Sequence, residues 1–276
     1  MLKPQLAATR EAAATAAQAI MTTDTEPKEV AVQIEIGGKT VTIGSMCKGS
    51  GMIHPDMATM LVFITTDCAI SSEMLRKALS SDIKDTFNMV SVDGDTSTND
   101  MVTVLANGMA GNIEINSEGD AFNIFMKALN TVTVYLCRAI AGDGEGATKL
   151  LECKVHGAAA SETAKTVAKS VICSSLTKAA MFGADANWGR VLCAIGYSKA
   201  NVDVSKIDVA FTSAAGTVAV CKNGAGITFS EELAKTILTE GEITIDINLN
   251  SGSYSSTAWG CDLTYDYVKI NGDYRT

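Results

Sequence analysis

Histidine is scarce in this sequence, and its scarcity restricts the chemistry open to the chain. Among 276 residues there are only two histidines, His54 and His156. A Ser-His-Asp triad or a metal site with several histidines would have to be built around these two. We interpret both as structural or surface residues, and we predict no bound metal.

Clustered positive charge and long apolar segments are also missing. Lys and Arg number 22 against 31 Asp and Glu, which gives a net charge of −9. Nucleic-acid binding needs grouped cations, so we predict no nucleic-acid partner. The first twenty residues lack the apolar core of a signal peptide and are typical of an Ala-rich helix. No other stretch is long and uncharged enough to cross a membrane, so we predict a cytoplasmic protein.

Paired cysteines and nucleotide-binding motifs are absent as well. The eight cysteines form no CxxC pair, and most lie inside apolar segments. They therefore indicate free thiols in a reducing compartment, with a role in the core rather than as nucleophiles. "GDGEGATK" lacks the spacing of a phosphate-binding loop, and "KGSGMI" lacks that of a dinucleotide-binding loop. We predict no cofactor.

The segments that are present alternate between helical and strand patterns. "VAVQIEIGGKTVTIG" (residues 30–44) predicts two strands joined by a Gly-Gly hairpin. Apolar spacing predicts an amphipathic helix from Ala121 to Ile140. Other predicted helices are 71–83 (capped by Ser71 or Ser72), 161–175, 187–198 and 230–238, and other strands begin at 59, 87, 148, 208, 217, 242 and 262 (the last to 270). Frequent hairpins favour an α/β fold of mixed sheets layered with helices.

One loop runs directly into an apolar strand, in the stretch "KGSGMIHPDMATMLVFITTD" (residues 48–67). Thr59 stands at that boundary, after small Ala58. A threonine hydroxyl is a poor nucleophile without a base, and the α-amine of an N-terminal threonine is one known base. Cleavage between Ala58 and Thr59 would create such a nucleophile at the end of a strand. The pattern alone favours the simpler interpretation, because a threonine at the start of a strand is usually only a residue with a high strand propensity.

This stretch resembles the glutamate N-acetyltransferase family, also called ornithine acetyltransferase, whose members carry a "KGSGMI.P.MATML..TTD" block. The resemblance extends from about Ala19 to Thr276. It implies the α/β fold of ornithine acetyltransferase and DmpA-like proteins. Further blocks match in order: "AIMTTDT" (19–25), "FN..SVDGDTSTND" (87–100), "DGEGATK" (143–149), "GADANWGR" (183–190) and "CDLTYDYVKINGDYRT" (261–276).

The resemblance implies self-cleavage of the Ala58–Thr59 bond into two associated chains. Residues 1–58 would be the end of the family's α chain, and residues 59–276 would be its β chain. The implied reaction is ping-pong acetyl transfer in arginine biosynthesis, in which Thr59 takes acetyl from N2-acetylornithine and glutamate then accepts it. Some family members also use acetyl-CoA as donor. In the family, two αβ pairs form an α2β2 heterotetramer.

By position in the matching blocks, the resemblance also implies a set of substrate-binding residues. Charged amino-acid substrates call for a cation, an anion and neutral hydrogen-bonding groups. Lys48 and Glu145 would supply the charges, although both also fit simpler roles, as a solvated loop charge and as a turn cap. The full implied set is Thr22 or Thr23, Lys48, the catalytic Thr59, Glu145, Asn271 and Thr276.

One departure from the family pattern lies at the N-terminal side. Family members carry a long segment before "AIMTTDT", with a Thr-Gly pair that resembles an oxyanion hole, and the eighteen residues before Ala19 contain no such pair. We therefore expect an N-terminally shortened member. Loss of one oxyanion donor costs about a hundredfold to a thousandfold in rate. Two alternatives stay open: an N-terminal-nucleophile amidase or aminopeptidase of related fold, in which water replaces glutamate, and an inert fragment.

Overall fold

A computed structural model describes residues 9–54 and 60–273, and the chain divides into two compact units. The first unit comprises Met1–Asn88 and Asp95–Ile140, and the second comprises Met89–Gly94 and Ala141–Thr276. Within the described ranges there are eight α-helices and eleven strands, and the strands form two mixed sheets. The predicted α/β class is confirmed.

The first unit is built on a four-stranded sheet. Its elements are α1 (Arg10–Ala19), β1 (Lys28–Ile36), β2 (Lys39–Lys48), β3 (Leu61–Thr66), α2 (Ser72–Asp82), β5 (Met101–Ala106) and most of α3 (Asp120–Gly142). The strand order is β1-β2-β3-β5, with β3 and β5 parallel and the other pairs antiparallel. The predicted hairpin between β1 and β2 turns at Gly37 and Gly38, whose φ values of 58° and 74° suit a two-residue turn with positive φ at both positions.

Period-two alternation explains how this sheet buries one face. Val41 and Ile43 of β2 are fully buried, as are Val62 and Ile64 of β3. The residues between them are more exposed, which is the pattern of strands with one covered face. Of the two candidate caps for α2, Ser71 is the one used, because its hydroxyl accepts a hydrogen bond from the Met74 amide at 3.3 Å.

Helix α3 is longer and more apolar than the sequence pattern predicted. The helix has 23 residues, and the most apolar 18-residue stretch within it has a mean hydropathy of 1.3. By length and composition it could therefore cross a membrane. The prediction that no stretch meets that criterion was therefore wrong. One stripe of the helix is fully buried, including Phe125, Leu129, Val132, Leu136 and Ile140. Such a buried stripe with a polar opposite face is typical of a core helix in a globular unit.

The second unit contains a seven-stranded sheet in the order β4-β11-β6-β10-β7-β8-β9. Its strands are β4 (Val90–Ser91), β6 (Leu150–Ala158), β7 (Asp208–Ser213), β8 (Gly216–Lys222), β9 (Ala225–Gly226), β10 (Glu242–Asn248) and β11 (Tyr254–Cys261). Its helices are α4 (Ser161–Cys173), α5 (Ser175–Phe182), α6 (Trp188–Tyr197), α7 (Glu231–Thr239) and α8 (Tyr265–Asp273). Central β6 and β10 are parallel and bury Leu151, Cys153, Ile245 and Ile247.

The strand predicted from Asp262 to Ile270 was wrong, because most of that segment is helix α8. Alternating apolar and polar residues in "LTYDYVKI" imitate a strand. The Thr264 hydroxyl instead accepts a hydrogen bond from the Tyr267 amide at 3.3 Å, as an N-terminal helix cap does. The sequence-based prediction also missed four elements, β5, α5, β9 and β11.

Candidate active site

The register of the four-stranded sheet brings three chain segments to one end. Lys48, the last residue of β2, pairs with Leu61, the first residue of β3. Leu61 in turn pairs with Met101, the first residue of β5. Lys48, Met60 and Asp100 therefore lie at the same sheet end, which we call the Lys48 end. The predicted cleavage site, Ala58 and Thr59, lies outside the described residues but directly precedes Met60 in the chain.

Lys48 is buried, with 4% of its surface exposed. A solvated loop charge would remain in water, so the simpler interpretation of Lys48 does not fit. Burying an ammonium group is costly unless anionic or polar groups compensate it. A buried cation beside a chain segment that is predicted to react is the arrangement expected of a group that binds a carboxylate or stabilises developing negative charge.

Asp24 fixes the backbone immediately after Lys48. Its Oδ1 accepts hydrogen bonds from the Gly49 amide and from the Lys28 ammonium, both at 2.7 Å. The Asp24 and Lys28 side chains are 0% and 3% exposed. Burial works to raise the pKa of Asp24, but the bonds from Gly49 and Lys28 outweigh it and hold that pKa below its ordinary value of 3.8. Asp24 is therefore an ionised anchor for the start of the "GSGM" loop.

The two candidate threonines, Thr22 and Thr23, immediately precede this anchor. The Thr22 amide donates a hydrogen bond to Asp24 Oδ2 at 3.2 Å, while its side chain is exposed. Thr23 is half-buried. Both are thus tied by the chain to the Lys48 end of the sheet.

Asp100 occupies an unusual position at the Lys48 end. Its Oδ1 accepts a hydrogen bond from the Met60 amide at 2.6 Å. Its Oδ2 is buried and has no hydrogen-bond partner among residues 9–54 and 60–273. Burial raises the pKa of Asp100 to about 6, against the opposing effects of the Met60 amide and the Lys48 charge. Buried polar atoms are almost always paired, so this carboxylate oxygen calls for a functional explanation.

In the second unit, the predicted residues Glu145 and Asn271 are brought together. Asn271 Nδ2 donates a hydrogen bond to Glu145 Oε2 at 2.7 Å and another to the Tyr267 carbonyl at 3.1 Å. Glu145 is half-buried and Asn271 is exposed. This side-chain bond engages Oε2 and orients the carboxylate. Such a carboxylate suits the ammonium group of an amino acid.

Helix α8 sits directly on the glycine loop that carries Glu145. The Thr264 hydroxyl donates a hydrogen bond to the Gly146 carbonyl at 2.6 Å. Gly146 has a φ of 68°, and a Cβ there would lie 2.6 Å from the Tyr267 nitrogen. The residue must therefore be glycine for two reasons, its left-handed backbone and the close approach of α8. This packing explains why Glu145 and Asn271 meet although 126 positions separate them.

Several predicted residues cannot be placed, and two structural ones were missed. Thr59, Ala58 and Thr276 lie outside the described residues. Asp24 and Asp100 were not predicted, although both lie inside the matching blocks "AIMTTDT" and "TSTND". The available signal was their position: Asp100 immediately precedes β5, and Asp24 lies four residues before Lys28, the first residue of β1. No group of three or more potential metal ligands occurs in the part of the chain that the structure describes.

The chain matches the model of the ArgJ family over residues 2–276. It is 56% identical over 261 residues to the arginine biosynthesis bifunctional protein ArgJ 1 of Clostridium acetobutylicum, covering 95% of this chain and 64% of that protein. It is 54% identical over 266 residues to the ArgJ protein of Symbiobacterium thermophilum, covering 96% and 65% respectively. The chain thus spans just under two thirds of the length of these relatives.

A solved relative supports the fold as well. The crystal structure of the arginine biosynthesis bifunctional protein from Bacillus halodurans has a TM-score of 0.75 and 48% identity to this chain. The match covers 78% of this chain and 100% of the solved chain.

Proposed function

Because the chain belongs to the ArgJ family, we propose that it carries the nucleophile and part of the substrate site of a glutamate N-acetyltransferase in arginine biosynthesis. One observation carries the proposal: the sheet register gathers buried Lys48, anchored Gly49 and the Asp100–Met60 hydrogen bond around the chain that continues from Thr59. A nucleophile attached to a rigid core strand is held more accurately than one on a free loop.

The proposed maturation step is cleavage of the Ala58–Thr59 bond. The Thr59 hydroxyl attacks the Ala58 carbonyl carbon, the C–N bond breaks, and the nitrogen takes a proton to become the Thr59 α-amine. Water then hydrolyses the resulting ester, which frees the Ala58 carboxylate and the Thr59 hydroxyl. Residues 1–58 and 59–276 become two chains that stay associated, as an αβ pair and then as an α2β2 assembly.

The share of this chain that matches the solved relative is close to the share that the proposed β chain would occupy. Residues 59–276 are 218 of the 276 residues, or 79% of the chain. The solved relative is covered over its full length by 78% of this chain. The two fractions agree, as they would if the solved chain corresponds to the proposed β chain.

The proposed acetyl transfer proceeds in two half-reactions. The Thr59 α-amine, with a reference pKa of about 7.7–8.0, accepts the hydroxyl proton. The oxygen attacks the acetyl carbonyl of N2-acetylornithine, and ornithine leaves with the proton on its amine. The amine of glutamate then attacks the acetyl-threonine ester, and N-acetylglutamate leaves while Thr59 regains its hydroxyl. The same acetyl-threonine could be formed from acetyl-CoA, and no bound cofactor takes part.

Charge complementarity supports the proposed substrate residues. Lys48 would bind a carboxylate or the developing oxyanion, and Glu145, oriented by Asn271, would bind an ammonium group. Thr22 or Thr23 and Thr276 would add neutral hydrogen bonds. The proposed location of the enzyme is the cytoplasm.

Intact-protein mass spectrometry before and after addition of N2-acetylornithine tests the proposal. We expect two fragments divided before Thr59 and an added acetyl mass on the C-terminal fragment. Thr59→Ala should give a single uncut mass and no adduct, whereas Thr59→Ser should keep both reactions. A product assay with glutamate then separates transfer from hydrolysis: acetate without N-acetylglutamate would favour an amidase, and an uncut, unmodified wild-type chain would favour an inert fragment.

A further inference from the structure

The backbone on both sides of residues 55–59 is hydrogen-bonded to one short polar segment, residues 96–100, "TSTND". At its start, the Thr96 hydroxyl donates a hydrogen bond to the His54 carbonyl at 3.0 Å. At its end, Asp100 Oδ1 accepts a hydrogen bond from the Met60 amide at 2.6 Å. His54 and Met60 are the described residues that flank the predicted cleavage site.

The bond to Met60 is the more consequential of the two. The Met60 nitrogen is covalently bonded to the carbonyl carbon of Thr59, so a carboxylate that fixes this nitrogen fixes the backbone next to the proposed nucleophile. The Met101 amide also donates to the Met60 carbonyl at 2.9 Å. Both polar groups of the Met60 backbone are therefore held by consecutive residues, Asp100 and Met101.

We propose that Asp100 is a positioning residue for Thr59: one carboxylate oxygen holds the Met60 amide, and the ionised group pairs electrostatically with buried Lys48. This inference rests on the proposed function, because it assigns Asp100 a role at the acetylation site. A displacement of about 1 Å at a reacting group can cost about a hundredfold in rate, so a single backbone hydrogen bond next to the nucleophile is sufficient to matter.

A purely structural role explains the environment of Asp100 poorly. A carboxylate kept only for stability would have both oxygens satisfied, but Oδ2 is buried without a partner in the described part of the chain. Its pKa is raised to about 6, so the folded state keeps the ionised form at a cost to stability at neutral pH. Groups that reduce stability in this way are concentrated at functional sites.

Because the pKa of Asp100 is raised, its proposed role in positioning Thr59 should depend on pH. Among residues 9–54 and 60–273, the charge that opposes the raised pKa of Asp100 is that of Lys48 on β2, and the Met60 amide, immediately before β3, acts in the same direction. After cleavage, the Thr59 α-amine adds a second titration at higher pH. Below about pH 6 Asp100 becomes protonated and its hydrogen bond to Met60 weakens. Acetylation should therefore fall more steeply below pH 6 than loss of the neutral amine alone would cause.

The test compares Asp100→Ala, Asp100→Asn and a matched control. Asn keeps an acceptor for the Met60 amide but cannot titrate, whereas Ala keeps neither. Asp67→Asn is the control, because Asp67 Oδ1 accepts a hydrogen bond from the Thr42 amide at 2.7 Å just beyond the opposite end of β3. The readouts are the rate of acetyl-adduct formation by intact-mass spectrometry from pH 5 to 8 and the Met60 amide resonance by NMR over the same range.

We expect Asp100→Ala to slow adduct formation about a hundredfold and Asp100→Asn to slow it less than tenfold and to remove the steep fall below pH 6. Asp67→Asn should leave rate and pH profile unchanged. The Met60 resonance should titrate near pH 6 in the wild type and not in Asp100→Asn.

Two results would overturn the inference: wild-type rates in Asp100→Ala, or equal losses in Asp67→Asn and Asp100→Ala. Failure of the proposed function looks different, since the wild type would then be neither cleaved nor acetylated. In that case the NMR titration still tests whether the Asp100 carboxylate holds the Met60 amide. A Met60 amide resonance that does not change as Asp100 titrates would contradict this contact.

Discussion

At the scale of single residues, the Lys48 end of the first unit depends on buried charges that compensate one another. Asp24 illustrates the principle, because it pairs with Lys28 and also holds the Gly49 amide. Neither charge would be stable alone in the interior. The pair therefore fixes the geometry of the neighbouring loop as long as both members are ionised.

Replacing Asp24 by Asn should destabilise the fold by about 3 kcal/mol, because the buried Lys28 ammonium would lose its ion pair with Asp24. Chemical denaturation at pH 7 measures the loss. The double variant Asp24→Asn, Lys28→Met removes both charges and should recover most of it. A double variant as unstable as the single one would show that the charge pair is not the main contribution of Asp24.

The same pair has a defined pH dependence. The pKa of Asp24 is lowered in the folded state, so its contribution to stability is present above its ordinary value of 3.8 and is lost as pH falls through the lowered folded value. The stability difference between wild type and Asp24→Asn should therefore be constant near neutral pH and shrink below pH 3.8. A difference that is independent of pH down to acid unfolding would argue against an ionised Asp24.

At the scale of elements, helix α8 determines whether Glu145 and Asn271 meet. Thr264 both caps α8 and donates to the Gly146 carbonyl. Thr264→Val preserves its shape but removes both bonds, so we expect a loss of about 1–2 kcal/mol. Hydrogen exchange should also accelerate across residues 265–273 in this variant.

Ser230→Ala provides the matched control for the capping effect. Ser230 caps α7 by accepting a hydrogen bond from the Leu233 amide at 3.2 Å. Its loss should cost about 1 kcal/mol without changing exchange in α8. If Thr264→Val lost stability but kept slow exchange in α8, the cap would be dispensable for holding this helix.

Local patterns in the sequence predicted the elements whose signals are themselves local. The Gly37-Gly38 turn and the apolar stripe of α3 are specified within a few residues, so both were predicted correctly. The segment 262–270 was not, because the side-chain alternation that suggested a strand is overridden by one hydroxyl that caps a helix. The missed strand β11, "YSSTAWGC", contains small and polar residues and gains its stability from pairing with distant β6.

The candidate site shows the same contrast between residues with a local sequence signal and residues whose role depends on pairing between distant segments. Lys48, Glu145 and Asn271 could be proposed as site residues from the sequence because they lie in motifs that resemble a known family. Asp100 could not be given a role from the sequence, because its significance arises from the parallel register of β3 and β5. A pairing between segments forty residues apart leaves no local pattern around Asp100 itself.

At the scale of the whole molecule, the cysteines offer a measure of how each unit opens. All eight are free, and all lie in the described part of the chain. Cys193 is exposed and Cys173 is half-buried, whereas the other six are buried. Burial raises the pKa of Cys47 to about 12 and that of Cys68 to about 11, so these two thiols are both inaccessible and protonated at neutral pH.

We therefore expect a maleimide to label Cys193 quickly in the native protein and Cys173 more slowly, with the Cys193→Ser variant losing the fast phase. The six buried thiols divide equally between the units, with Cys47, Cys68 and Cys137 in the first and Cys153, Cys221 and Cys261 in the second. Because each unit has its own sheet and buried core, they should react in groups of three when a unit opens. Mass spectra during labelling in mild denaturant would show these groups, whereas random addition of single labels would mean that the thiols are exposed by local fluctuations.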